Sequence, residues 1–327
     1  MQRSNAEPTF TDLTVADLGG PQATAFFDLC LAKIPFDQLA ASVAGIFKEE
    51  TPAGGAPHWP VVTMLKVIFL QKCFALSDPM AEEMLKDRIS FRRFVGLSFD
   101  DKTPDHSTIN VFRKRLRDHG HGSTLFDKTL EILRERGLVL NQGTLIDATI
   151  IEAPLGGKRA DGSSTADPSA TVVAKGGRSY TGYRAHIATD RNGIITDYVY
   201  DSANVSEHTH FDQLARNETK AVYADSGCRS KDRVEALRKR GVFPGLCHRR
   251  VKAQKQLSAE QKRFNRLIAP VRAMVEHPFA WVKRRLNNRR ARYRGLARNG
   301  LDFALSAMAC NFCRSFTIKP ATVVGGM

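Results

Sequence analysis

The apolar residues of this chain change their spacing at Gly143, and that change sets the architectures open to it. Upstream the spacing is helical. Val61 to Phe74 is apolar nearly all round, Asp78-Pro79 reads as an N-cap and first helical position opening Met80 to Asp87, and Ser90 to Val95 adds a short turn of helix. Thr103-Pro104-Asp105-His106-Ser107 supplies a turn and a cap. Beyond it Ile109, Phe112 and Leu116 fall on one stripe, with Arg113, Lys114, Arg115 and Arg117 mostly off it, which predicts an amphipathic helix with a basic outer face. Phe126, Leu130 and Leu133 repeat the pattern until Gly137 stops it.

Downstream the pattern is that of strands. Thr144 to Ile151 is a β-branched, apolar run and Tyr180 to Thr189 a second, and Asp190-Arg191-Asn192-Gly193 is a hairpin turn leading into a third, Ile194 to Tyr200. A short helix is predicted between Ser206 and Ala215 and a fourth strand at Ala221 to Ala224. A helix from Lys231 to Arg240, closed by Gly241, and a fifth strand from Val242 to Cys247, interrupted by Pro244, complete the series. Antiparallel strands first and crossovers afterwards predict an α/β domain, a mixed sheet with flanking helices, preceded by an all-α N-terminal domain. The 327 residues suffice for two such domains, 1–137 and 138–327, with the Gly-, Ser-, Ala- and Asp-rich segment 155–179 a surface loop inserted in the second.

Lys and Arg number 49 against 34 Asp and Glu, a formal charge of +15 that calls for an anionic partner, nucleic acid or an acidic membrane face. The membrane is the weaker choice, because Met1 to Pro8 has no apolar signal region and no stretch reaches about 18 apolar residues. A soluble protein of the cytoplasm is expected, associated with the nucleoid through DNA. Six scattered cysteines form no disulfide framework, and Cys310-x-x-Cys313 lies in an apolar helical pattern that reads as packing rather than half a zinc site.

Three acids stand out. Asp147 sits inside Thr144-Leu-Ile-Asp-Ala-Thr-Ile-Ile151, where a carboxylate is costly unless a cation or donors meet it. Asp225 ends Val222-Tyr-Ala-Asp225 before Ser226-Gly227, at the carboxyl edge of the sheet. Each taken singly is equally readable as a strand-end Asp capping a turn. Glu276 is one of only two acids, with Glu260, between Arg240 and Arg298. On one helix Arg272, Glu276 and Lys283 share a face, and the plain reading is an Arg272 to Glu276 surface ion pair; Pro278 complicates that helix by removing a hydrogen bond. Together, three carboxylates on different elements of a basic protein suit oxygen ligation of two magnesium ions about 3.5 to 4 Å apart, for in-line attack on a phosphodiester.

At these residues the sequence resembles the insertion sequence five family of bacterial DDE transposases. The resemblance runs through Met64-Leu-Lys-Val-Ile-Phe-Leu-Gln-Lys72, Ser77-Asp-Pro79, Arg88-Ile-Ser-Phe-Arg-Arg-Phe-Val-Gly-Leu97 and Thr103-Pro-Asp-His-Ser-Thr-Ile109. It continues through Leu145-Ile-Asp147, Gly182-Tyr-Arg-Ala-His186, Tyr223-Ala-Asp-Ser-Gly227 and Val275-Glu-His-Pro-Phe279. It implies a ribonuclease-H-like catalytic domain behind a helical DNA-binding domain, with Asp147, Asp225 and Glu276 as catalytic metal ligands for magnesium, or manganese in its place. Arg272 and Lys283 would grip phosphates. Ala269 stands where the family has an aromatic residue or Asn before the Arg, Glu and Lys of its glutamate signature. The activity implied is binding of the inverted-repeat ends of an insertion sequence, then metal-dependent strand cleavage and transfer, with double-stranded DNA, ends and target, as partner. A homodimer is expected in the synaptic complex.

From their basic surroundings Arg113, Arg117, Arg284 and Arg285 are further DNA contacts. Arg184 and His186 alternate to one face of their strand and either flank the site or are structural; His208-x-His210 reads as an exposed helix-cap pair without metal. Two rivals remain: a transposase-derived DNA-binding protein without catalysis, and a two-metal nuclease of the same fold.

Overall fold

A computed structural model describes residues 21–47, 58–157, 164–250 and 256–318. The reading of Met1 to Pro8 lies outside them. The chain divides into two compact units, Met1–Thr129 and Leu130–Met327, so the division falls within a helix rather than after Gly137.

In the first unit α1 (Pro21–Lys33), α2 (Phe36–Ser42), α3 (Val61–Cys73), α4 (Asp78–Asp87), α5 (Ile89–Val95) and α6 (His106–Asp118) surround a core rich in phenylalanine; α7 (His121–Glu135) crosses the division. Phe36 meets Phe69 and Phe94 edge to face at 5.7 and 5.8 Å, and Phe27 meets Phe91 in the same way at 5.5 Å. Burying each such ring contributes about 1.5 to 3 kcal/mol. From Thr63 to Lys72, α3 is buried at every residue except Lys66, which explains its lack of a polar face. The cap of α4 is one residue earlier than expected: Ser77 accepts from the Met80 amide, leaving the Asp78 side chain for another purpose. Asp105 caps α6 through the Thr108 amide at 2.7 Å.

The second unit is built on a six-stranded mixed sheet: β1 (Thr144–Glu152), β2 (Thr171–Lys175), β3 (Arg178–Thr189), β4 (Ile195–Ser202), β5 (Ala221–Ala224) and β6 (Phe243–Leu246). β3 is antiparallel to β1, β2 and β4, whereas β1, β5 and β6 are mutually parallel. Pro244 is tolerated because β6 is an edge strand, and its neighbours Phe243 and Cys247 donate to β5 through Lys220 and Ala224 carbonyls. The segment expected as a loop at 155–179 instead carries β2, which forms a hairpin with β3. Gly182 has a definite reason to be glycine: a Cβ there would come within 2.1 Å of the Ile151 carbonyl oxygen.

Cross-strand partners share a face. One face holds Ile146, Ala188, Val222 and Ala224 against α8 (Phe211–Leu214) and α9 (Lys231–Lys239), the former shorter than the helix predicted for Ser206 to Ala215. The other holds Ile187, opposite both Asp147 and Tyr198, and is covered by α12 (Leu296–Ser315), whose Phe303 packs on Tyr198 and Tyr200 at 5.5 Å. α12 is buried along most of its length, Cys310 and Cys313 included, in agreement with the packing reading. Its buried Asn311 exchanges two 2.8 Å hydrogen bonds with the Ile195 backbone and so completes the start of β4.

α10 (Ala259–Ala273) leads into α11 (Glu276–Ala280) through Met274 and Val275, both right-handed helical, and a π-helical turn follows at Trp281–Arg285. No helix of the described residues is long and apolar enough to cross a membrane.

Candidate active site

Strand register gives the two aspartates a common face of the sheet. β1 runs parallel to β5 with Leu145 opposite Tyr223, and strand alternation puts Asp147, two residues beyond Leu145, on the same face as Leu145 and Tyr223, the face on which Asp225 follows two residues after Tyr223. Asp225 lies just past the end of β5 and caps the tight turn Ser226–Cys228, accepting from the Ser226 amide at 2.6 Å. The two readings of Asp225, cap and site residue, are therefore compatible.

The surroundings of the pair are unequal. Asp225 is half-exposed and faces Arg272, whose Nη2 lies 3.5 Å from its Oδ1. Asp147 accepts from its own neighbour, the Ala148 amide, at 2.7 Å. Burial pushes its carboxyl up to about 6, and the negative charge of Glu207 adds to the rise, against the opposing effects of the Ala148 hydrogen bond, Arg272 and Lys175. An acid placed in the sheet with so little compensation is a costly arrangement for stability alone.

Glu207 and Lys175 join this region without having been singled out in the sequence. Glu207 sits in the turn after β4, its backbone carbonyl accepting from Cys228 Sγ at 3.9 Å, and Lys175 Nζ lies 3.8 Å from its Oε1. One is an acid in a polar turn and the other a lysine in a Gly- and Ser-rich segment, the least informative settings for either type.

The stretch from Arg272 to Lys283, expected as one helix, changes its winding along the way. Pro278 causes no break, because it stands in the first turn of α11, where a missing N–H is harmless. Around Glu276 the helix is overwound, Val275 donating to Arg272 and His277 to Met274; beyond it the π turn is underwound, Leu286 donating to Trp281. Glu276 is exposed at the start of α11, one turn beyond Arg272, while Lys283 is half-buried among Lys175, Glu152, Arg289 and Asp147. Burial, then the charge of Lys175, lowers the Lys283 pKa. Among the described residues no three His, Cys, Asp or Glu side chains are gathered as a metal cage.

Other expected contacts separate clearly. Arg113 does not belong to a basic outer face: it is 6% exposed and bonds both carboxylate oxygens of Asp78, at 2.5 and 2.9 Å, and Gln71 at 2.9 Å. The heptad-like spacing misled because a guanidinium beside an apolar stripe can reach inward to a half-buried acid. Arg117 is half-buried and paired with its neighbour Asp118 at 2.6 Å. Arg284 and Arg285 are exposed, the latter over the Trp281 ring at 5.6 Å.

Arg184 and His186 do not flank Asp147. Opposite Ile150 and Ala148, they occupy the other face of the sheet, where Arg184 donates to the Val205 carbonyl at 2.8 Å. His186 stacks edge to face on His210 at 4.9 Å, and burial lowers its pKa to about 4. His210 stands at the N-cap position of α8 as expected, but its half-buried side chain turns to Asp201, 3.0 Å away, instead of capping, while His208 is exposed.

Residues 21–115 match the family model described as transposase domain (DUF772), and residues 140–312 match the model described as transposase DDE domain. Among solved structures, a chain described as the piggyBac transposase synaptic complex with hairpin DNA superposes with a TM-score of 0.45 at 9% identity. That superposition covers 96% of this chain and 79% of the other, at a likeness too low to argue from. The DDE model takes in more than half of the sequence, and the chain belongs to the DDE-domain transposases.

Proposed function

We propose that this DNA transposase cuts and joins DNA at a site centred on Asp147 and Asp225, with Glu276 as the third carboxylate. The observation that supports the reading is the parallel pairing of β1 with β5, whose alternation gives Asp147 and Asp225 a common face of the sheet, with Asp147 largely withdrawn from solvent and poorly compensated. Glu276 is supported by the chain path, since Arg272 touches Asp225 and Glu276 follows one helical turn later.

The family depends on divalent metal, and the residues here fit one. Asp147 and Asp225 offer hard carboxylate oxygens, and Asp147 has lone pairs to spare beyond its single bond from Ala148. Magnesium is the ion proposed, two being held by Asp147, Asp225 and Glu276, with manganese able to replace it. When bound, such ions activate the attacking hydroxyl and stabilise the leaving oxygen. The chain's own work is to position: Arg272 orients Asp225, and Lys283, set among Lys175 and Arg289, presents positive charge to a phosphate beside Asp147. Exposed Arg284 and Arg285 extend that charge, and Arg117 offers a weaker contact on the helical unit.

In this reading the substrate is the inverted-repeat end of an insertion sequence of the five family, read by the helical domain 1–137 and cut by the domain 138–327, with two copies of the chain pairing two ends. The test is nicking and strand transfer on a supercoiled plasmid bearing the element's ends, with magnesium. Asp147→Asn, Asp225→Asn and Glu276→Gln should each abolish both products while duplex binding persists. Cleavage at the wild-type rate by any of them removes that residue from the site.

A further inference from the structure

The β2 to β3 hairpin is built with a charge conflict at its tip. Lys175 and Arg178 are directly opposed partners, closing the two-residue turn Gly176-Gly177, in which both glycines have positive φ (60° and 75°). That is the geometry of a tight primed turn whose twist suits a hairpin, and it leaves the flanking pair no freedom to diverge. Like charges directly opposite one another destabilise a strand pair. Both residues are exposed, so neither is held there by packing.

Position gives the conflict a purpose. Lys175 Nζ is 3.8 Å from Glu207 Oε1, and its charge acts on both Asp147 and Lys283. The hairpin tip therefore stands near Glu207 and Asp147, and its Lys175 and the nearby Arg289 add like charge around Lys283. Exposed like charges held this close are relieved by an anion, and a polyphosphate strand supplies one at each step.

We propose that the Lys175-Gly-Gly-Arg178 hairpin is a DNA-contacting element of this transposase, in which Lys175 and Arg178 hold backbone phosphates of the strand undergoing cleavage. In the absence of DNA, Glu207 holds Lys175; a phosphate replaces that partner and frees the Glu207 carboxylate on the side of Asp147. The tip is unobstructed, since apart from chain neighbours no atom lies within 4 Å of a Cβ built at Gly176 or Gly177, and their positive φ is what calls for glycine. This inference rests on the placement of the cleavage site at Asp147.

The full-length protein is tested with a mixed-sequence DNA duplex for binding and a supercoiled plasmid with magnesium for nicking. The double variant Lys175→Ala/Arg178→Ala should fold as the wild type does, since it removes only exposed side chains. Its log–log salt slope of duplex binding should be shallower, by about 0.9 for each phosphate that is no longer neutralised. Nicking should fall at least about tenfold through misplacement of the strand. Lys175→Arg, which keeps the charge, should restore most of the binding. Unchanged duplex affinity and salt slope in the double variant overturn the proposal. Asp147→Asn run alongside separates the two ideas: wild-type nicking by that variant removes the site reading, while the binding comparison still decides whether the hairpin touches DNA.

Discussion

Two partly buried aspartates, one in each unit, show opposite solutions to the same physical problem. Asp78 in the helical unit has burial working against its charge, but hydrogen bonds and charge from Arg113, with Gln71, outweigh that and hold its carboxyl below the ordinary range. Asp147 in the sheet unit has burial and Glu207 acting together, and its carboxyl rises to about 6. The first is architecture: a complete ion pair joining α4 to α6 through sequence positions 35 residues apart. The second is an acid whose single hydrogen bond, from Ala148, and distant cations do not offset its burial, which suits the catalytic role proposed for it. Compensation, rather than burial, separates the two.

The comparison is broken most directly at the sheet unit's pair. Asp147→Asn or Asp225→Asn should lower plasmid cleavage by on the order of a thousandfold or more, because carboxylates that act as one unit are not lost additively; near wild-type rates would place the chemistry elsewhere. Next in size is Arg113→Ala, which strands Asp78 and should destabilise the helical unit by about 3 to 5 kcal/mol, read from the denaturation midpoint. If Arg113→Ala instead weakens DNA binding without lowering stability, the pair is not architecture.

A smaller effect of opposite sign is expected at Asp147. Its folded pKa, about 6, lies above the ordinary 3.8, so the folded state holds the proton more tightly and stability falls as pH rises between roughly 4 and 6. In the absence of metal, Asp147→Asn should flatten that window and stabilise the protein by about 1 to 2 kcal/mol near neutral pH, an amount reduced by partial exposure. Thermal melts across the window check it, and a variant that melts lower than wild type at pH 7.5 would show Asp147 to be structural. The smallest change belongs to Arg117→Ala, whose partner Asp118 is its exposed neighbour in sequence. Its effect on stability should stay below about 0.5 kcal/mol, in contrast to Arg113 only four residues earlier on the same helix.

That contrast between Arg113 and Arg117 marks how far local pattern reaches. Strand by strand the sheet was legible: β5 is bounded as predicted at Ala221 and Ala224, the turn at Asp190 to Gly193 joins β3 to β4, and Gly137 and Gly241 end their helices with positive φ. These follow from backbone preference and alternation, which neighbours in sequence determine. The strand β2 was not legible, because its Val172 and Ala174 are exposed and show no apolar face. Glu207 was invisible for a similar reason, an acid in a turn being unremarkable until β4 carries it back to the site.

By itself the sequence determined the change of period at Gly143, the helical unit before it, the mixed sheet after it, and one aspartate, Asp147, set in an apolar strand, since spacing and desolvation are properties of short stretches of chain. Tertiary structure alone decided which charges meet. It sent Arg113 inward to Asp78, placed His186 and Arg184 on the sheet face away from Asp147, and brought Lys175 within 3.8 Å of Glu207. Coulomb interaction and hydrogen bonding depend on distance in space, and residues 175, 207, 225 and 272 become neighbours only when the strands pair and the connections between them close.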